Sequence, residues 1–424
     1  MTVPLVYFVA AHIALLLAMI TAAREPSTTM TFLHPAVAGT VHLVTLGWIT
    51  GSILGAIYVV GPLGLRLRIA VGRLDYVALV LYLLGASGLV THFWIAEFSG
   101  MAGSAITVWV AVVLVLGRFW NAMRVTSLEP GVRLFLTLAC VNFAVAGGMG
   151  VLLGLNRVWP LLGGATIGVL YGHAHLAAIG WAMMLALGVG CRVLPMVIPA
   201  RPPKGPRLVV TACLIEAGLV VLVPSLVIHS DWMRLGAALI SAGLMSFVVE
   251  VVRMVRHRLP PNREIRVPFV APLHVGFAMA CLAGAIALGL TLAWRPFGPD
   301  ALPVALTYGI LGLLGFLGQL IAAVQGRMSP LFAWYWVSLR RGPTPPLQTP
   351  YTLPAWRGEP VSAALWIAGM VALVVGAFHG WPGVFAFGAV LIAAAVSVGL
   401  ASLLVTTTVA FLRERRTVRS AAAG

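Results

Sequence analysis

The sequence predicts an all-α membrane protein with twelve transmembrane helices, and three observations predict it. Apolar runs of spanning length recur along all 424 residues, only 9% of residues are charged, and arginines gather between alternate runs. With 61% hydrophobic residues and a mean hydropathy of +1.02, a water-soluble fold would have little with which to cover its surface. Each run is about 20 residues or more, long enough to cross roughly 30 Å of hydrocarbon as a helix. A single integral membrane domain, 1-424, is expected.

In chain order the spans fall at 3–22, 34–62, 75–96, 101–123, 133–155, 164–196, 208–228, 232–255, 268–293, 301–326, 361–378 and 383–412. The first is too long, and lacks the flanks, for a cleaved signal peptide, so it counts as a span. Arg66, Arg68 and Arg73 follow span two, and Arg118 and Arg124 follow span four. Arg201, Lys204 and Arg207 follow span six, and Arg253, Arg256, Arg258, Arg263 and Arg266 follow span eight. Arg340 and Arg341 follow span ten, and Arg413, Arg415, Arg416 and Arg419 follow span twelve. Every even-numbered span therefore ends inside, which places both termini in the cytoplasm and the chain in the cytoplasmic (inner) membrane. This topology accounts for the net charge of +16 without a nucleic-acid partner. Cys140, Cys191, Cys213 and Cys281 all fall within spans, where they serve as small hydrophobes.

An internal repeat organises the spans. The prolines expected to close spans two, six and ten, Pro62, Pro195 and Pro330, recur at about 134 residues, or four helices. Before them stand Gly47-Trp48, Gly180-Trp181 and Gly315-Phe316, and before those His42, His175 and Ile310. Gly55, Gly188 and Ala323 also coincide, small residues that let helix backbones approach. Three four-helix repeats, about 1-128, 129-262 and 263-424, in a pseudo-three-fold arrangement are expected. The plain alternative is a chance alignment of residues common in membrane helices.

Histidine in a membrane helix needs a partner and is by default a functional hypothesis. His42 and His175 share one depth, roughly 12 Å below the outer end of their helices at 1.5 Å per residue. His173 and His175 lie two apart, so their rings point about 200° away from one another and cannot share one ligand. Zinc would favour four-residue spacing. The expectation is a bis-histidine haem between His42 and His175, with His173 serving a second haem with an open axial position. The competing reading for each ring is a hydrogen bond to a neighbouring helix.

Gly172-His173-Ala174-His175, with Ile179-Gly180-Trp181 and Leu194-Pro195 after it, resembles the helix of haem-copper oxidase core subunits (subunit I), the cbb3 type especially, whose two histidines ligate two haems. The twelve-helix, three-arc plan of that family is similar to the repeat. The motif stands here on span six rather than span ten, where Ile310 replaces a histidine, and span seven has no histidine pair. The resemblance therefore implies one haem b, or two, without a complete copper site. A more distant similarity is to NnrS-type membrane haem proteins, associated with nitric oxide stress. The implied function is a membrane b-type cytochrome that transfers electrons and binds or reduces a diatomic gas, nitric oxide or oxygen. Its partners would be membrane lipid, an electron donor such as quinol or a cytochrome, and additional membrane subunits. Alternative readings are a proton-coupled secondary transporter and a non-catalytic haem-based sensor.

Among other polar residues, Glu216 is the carboxylate read as deep within a span, a candidate to pass protons or bind a quinol hydroxyl, or else simply bonded to a neighbouring helix. Gln319 reads as interhelical glue. Arg192 and Arg327 read as snorkelling side chains. Arg157 and Arg295, beside Trp159 and Trp294 in outer loops, are the counter-charge candidates for haem propionates. His34, His92, His229 and His379 read as outer-surface residues, His12 as mid-span, and His257 and His274 as structural; 335–360 reads as the longest inner loop.

Overall fold

The computed structural model describes residues 2–31, 34–260, 270–295, 298–341 and 358–423. Twelve of its helices are long and apolar enough to cross a membrane. They are spans one (Thr2–Arg24), two (Pro35–Ile57), three (Arg73–Trp94), four (Met101–Arg124), five (Pro130–Asn156) and six (Gly163–Val197). Spans seven (Pro206–Val227), eight (Met233–Arg256), nine (Val270–Trp294), ten (Leu302–Ser338), eleven (Glu359–His379) and twelve (Pro382–Arg416) complete the set.

Burial ranks them. Spans two, six and ten bury 67%, 72% and 61% of their most apolar stretch, whereas the other nine bury between 33% and 56%. These three form the inner core, and each leaves α-geometry there for eight residues of π-helix: Leu43–Thr50, Leu176–Met183 and Leu311–Gly318. The three π stretches touch one another pairwise. A π turn is wider than an α turn and tips carbonyls off the axis, and side chains from neighbouring spans take them up. Tyr82 Oη donates to Leu46 O, and Asn142 Nδ2 donates to Gly180 O at 3.3 Å. Trp181 Nε1 donates to Thr50 Oγ1 at 3.1 Å, tying span six to span two.

Glycines inside the π stretches admit the outer helices. A Cβ on Gly47 would stand 2.4 Å from Ala14 Cβ of span one, on Gly180 2.9 Å from Asn142 Cβ of span five, and on Gly315 2.8 Å from Cys281 Cβ of span nine.

The prolines do not close their helices. Pro195 and Pro330 lie inside helices that run on to Val197 and Arg341. Pro62 lies in a separate segment, Val60–Leu65, beyond a break at Tyr58 and Val59. Proline removes one donor but does not end a helix whose neighbours satisfy the freed groups, as in membrane bundles. The expected inner loop 335–360 is accordingly helical to 341, and 342–357 lie outside the described residues, as do Arg263 and Arg266.

The ends of even-numbered spans lie together on one arginine-rich face. Arg118, late in span four, donates to Ala70 O before span three at 2.6 Å. Leu259 N, after span eight, donates to Pro199 O after span six at 2.7 Å. At the opposite face Gly39 of span two packs on Trp94 of span three, and the Arg157 guanidinium lies 5.0 Å over the Phe98 ring.

Spans three and four pack backbone to backbone, since a Cβ on Gly85 would fall 2.4 Å from Val108 N, whereas a Cβ on Gly117 would meet nothing within 4 Å. Gly85→Ala is therefore expected to cost about 1–3 kcal/mol through forced separation of the two helices. Gly117→Ala should be neutral or gain up to about 1 kcal/mol by lowering backbone freedom. Thermal unfolding in detergent ranks the two variants, and an equal effect would contradict this packing.

Candidate functional site

His42 is the last α-helical residue before the π stretch of span two, and His175 stands at the same place before that of span six. Their Nδ1 atoms are bound in the same way, to the carbonyl four residues back: His42 to Ala38 O at 2.7 Å and His175 to Tyr171 O at 2.8 Å. His173 Nδ1 reaches across to Ala146 O of span five, at 2.8 Å. A carbonyl oxygen only accepts, so Nδ1 carries the proton and the neutral ring leaves a lone pair on Nε2. A carbonyl bound at Nδ1 in this way fixes the ring and aims Nε2, as in imidazoles that ligate a metal.

The rings are partnered differently from the expectation. The ring facing His42 is that of His173, with centroids 6.4 Å apart and planes 23° apart. Phe93 lies against His42 as well, at 5.2 Å and 23°. His175 lies instead beside Tyr308 of span ten, at 6.2 Å and 28°. His42 and His175 thus share a register, and the histidine ring beside His42 is that of His173. Depth follows from counting along the helix, whereas the direction of a ring follows from the turn of the helix and the neighbour it meets, and alternate residues of span six meet different neighbours.

Two imidazoles coaxial on one metal, with bonds of about 2.0–2.1 Å, set their ring centroids about 6 Å apart. The His42–His173 spacing fits that requirement, and the donor chemistry fits an axial haem pair. Small residues of span five flank it: Ala146 O binds His173, a Cβ on Gly150 would fall 3.0 Å from His173 Cε1, and one on Gly148 would meet nothing within 4 Å. Among the described residues no group of three or more His, Cys, Asp or Glu could hold a metal ion. A two-ligand axial site does not require one.

The remaining candidates are dispersed. Arg157 and Arg295 are exposed, and the described contact of Arg157 is with Phe98 rather than with the ring pair. Glu216 is half-buried on span seven and accepts from Asn142 Nδ2 at 2.8 Å; the same amide binds Gly180 O, so Glu216 is linked to the π stretch of span six. Gln319 binds His274 Nδ1 through Oε1, and His274 is buried beside it.

Two features escaped sequence reading. Asp75 of span three is fully buried: it accepts from Tyr58 Oη at 2.8 Å and Gly72 N at 2.6 Å, and pairs with Arg118 Nε at 2.8 Å. In sequence it stands in the first turn of a helix, where a carboxylate is unremarkable; the available signal was the capping spacing from Gly72 together with an arginine at the end of span four. The second feature is a large, mainly apolar cavity between the central spans and spans one, nine, eleven and twelve, with an empty volume of about 1730 Å³ including its open part. It extends from the π stretches toward the arginine-rich face, past Leu65, Leu194 and Glu359. His42, His173 and His175 do not line it, whereas His12 and His274 do.

Compared with known proteins, the sequence matches no family model and no curated protein sequence.

Removal of the Asp75 carboxylate is expected to be costly. Asp75→Ala leaves Arg118 and Tyr58 without their buried partner and should destabilise by about 3 kcal/mol. Glu216→Gln, which keeps an acceptor for Asn142, should change stability by under about 1 kcal/mol. Detergent unfolding midpoints for both variants check the ranking.

Proposed function

We propose that the protein is a membrane b-type cytochrome in which His42 and His173 are the two axial ligands of one haem iron. The observation that carries this reading is the facing pair of near-parallel imidazoles, each with Nδ1 held by a backbone carbonyl and no described hydrogen bond at Nε2. When bound, the haem supplies one-electron chemistry at a potential set by its ligands and surroundings. The chain's part is to fix both rings, exclude water with apolar spans, and set the ring tautomers through Ala38 O and Ala146 O. His175, anchored on Tyr171 O and set beside Tyr308, takes the role first expected of His173: it would hold a second haem, which would supply binding of nitric oxide or oxygen. Copper has no place in this proposal.

We read the resemblance to the haem-copper oxidase core subunit as extending to the architecture. Three π stretches at matching sequence positions, three glycines packed on spans one, five and nine, and their mutual contact support three four-helix repeats around a pseudo-three-fold axis. The arginine-rich face is assigned to the cytoplasm together with both termini, and the chain to the inner membrane. Electrons would come from quinol or a cytochrome. Arg157 and Arg295, on the opposite side, remain the propionate candidates.

One observation favours a second reading, a proton-coupled secondary transporter. A twelve-helix bundle with a large central cavity reaching toward one face has the form of such proteins, and Glu216, half-buried on span seven outside that cavity, is a carboxylate available for coupling.

A reduced-minus-oxidised optical spectrum with a pyridine haemochrome count decides between the two. Sharp low-spin haem b bands are expected in the wild type, lost in His42→Ala and His173→Ala, and kept in His175→Ala, which should lose carbon monoxide binding. Absence of haem after expression in a haem-replete host overturns the cytochrome and leaves the transporter. Loss of the low-spin bands in His175→Ala but not in His173→Ala would restore the pairing expected from sequence.

A further inference from the structure

The large cavity lies apart from the histidine pair, and its wall has a chemistry of its own. Aliphatic side chains dominate it, and the polar exceptions include two buried imidazoles, His12 of span one and His274 of span nine. His12 Nδ1 donates to Phe8 O at 2.7 Å, and His274 Nδ1 binds Gln319 Oε1. Both rings therefore spend their proton on the protein and keep a lone pair on Nε2. No described hydrogen bond takes up either Nε2. A ligand that satisfies them must bring its own hydrogen-bond donor.

The wall next to His12 is aromatic. The Trp48 ring stands edge-on to His12 with centroids 5.0 Å apart and lies 6.0 Å from Trp366. The indole nitrogens of both tryptophans are buried without a hydrogen-bond partner among the described residues. Trp48 Nε1 faces Gly318, which offers no side chain: a Cβ there would lie 3.7 Å from it. The equivalent indole of span six, Trp181, has Thr50 to bind. An aromatic ligand bearing a hydroxyl can donate to imidazole and pack its ring on the indole rings. Aliphatic residues toward the arginine-rich face would pack a tail.

We propose that this cavity binds a hydroxylated aromatic ring carrying an apolar tail, the chemistry of an isoprenoid hydroquinone, with a ring hydroxyl donating to His12 Nε2, His274 Nε2 as the second acceptor, and the ring packed on Trp48. The site goes beyond the cytochrome reading and needs no iron, so either can fail without the other.

The test uses the full chain in lipid nanodiscs under anaerobic conditions, with tritiated decyl-hydroquinone as probe and empty nanodiscs subtracted for partition into lipid. Saturable binding is expected, and the dimethyl ether of the same compound, which has no hydroxyl donor, should compete about tenfold less well. His12→Leu should weaken the hydroquinone about tenfold and leave the ether unchanged, with unfolding temperature as the check on folding. Equal competition by hydroquinone and ether overturns the proposal, as does binding no greater than to empty nanodiscs. A difference between the two compounds that survives intact in folded His12→Leu also overturns it. If His12→Leu does not fold, the comparison of the two compounds decides alone.

Discussion

Everything else in this molecule depends on where its imidazole protons go. Hydrocarbon provides no water to satisfy a ring nitrogen, so each buried histidine must spend its N–H on an oxygen of the chain. His12, His42 and His175 each use the carbonyl one turn back in their own helix, and His173 uses a carbonyl of span five. The consequence is the same in every case: Nδ1 is committed and Nε2 is left as a base or ligand. Polar groups in an apolar medium are thereby sorted into two sets, the nitrogens that hold the fold and those offered to something else.

The π stretches set the positions of those offered atoms. His42 and His175 stand at the entry of two such stretches, and within the three widened stretches glycines 47, 180 and 315 admit the outer spans. Each distorted turn exposes backbone that an outer span must satisfy, which explains why Tyr82 and Asn142 are buried where they are. On the proposed reading this region carries electrons between fixed rings, while the cavity beyond it, walled by His12, Trp48 and His274, belongs to an apolar donor of hydrogen bonds. The two regions adjoin through Trp48, whose own residue lies within the π stretch of span two.

Much of this was legible in the residues. Hydropathy and the arginine pattern located all twelve spans to within a few residues at most ends, because spanning length and burial of backbone polar groups leave few alternatives. The histidines were visible because a ring in hydrocarbon stands out. Their partnership was not: spacing showed that His173 and His175 face apart, but nothing in the residues said which of them meets span two. The proline at 330 misled for a related reason, since its effect depends on neighbours that a single helix does not reveal. Asp75 was hidden by looking like an ordinary helix start, although its burial rests on Arg118 and Tyr58 from elsewhere in the chain.

The central claim is that His42 and His173 share one iron with their planes nearly parallel. Electron paramagnetic resonance of the oxidised wild-type protein tests it most directly, because the line shape of a low-spin ferric haem reports the angle between its axial imidazoles. Planes 23° apart predict a rhombic low-spin signal with three resolved g values. A strongly anisotropic signal of the kind given by perpendicular rings, or no low-spin ferric signal, would contradict the account.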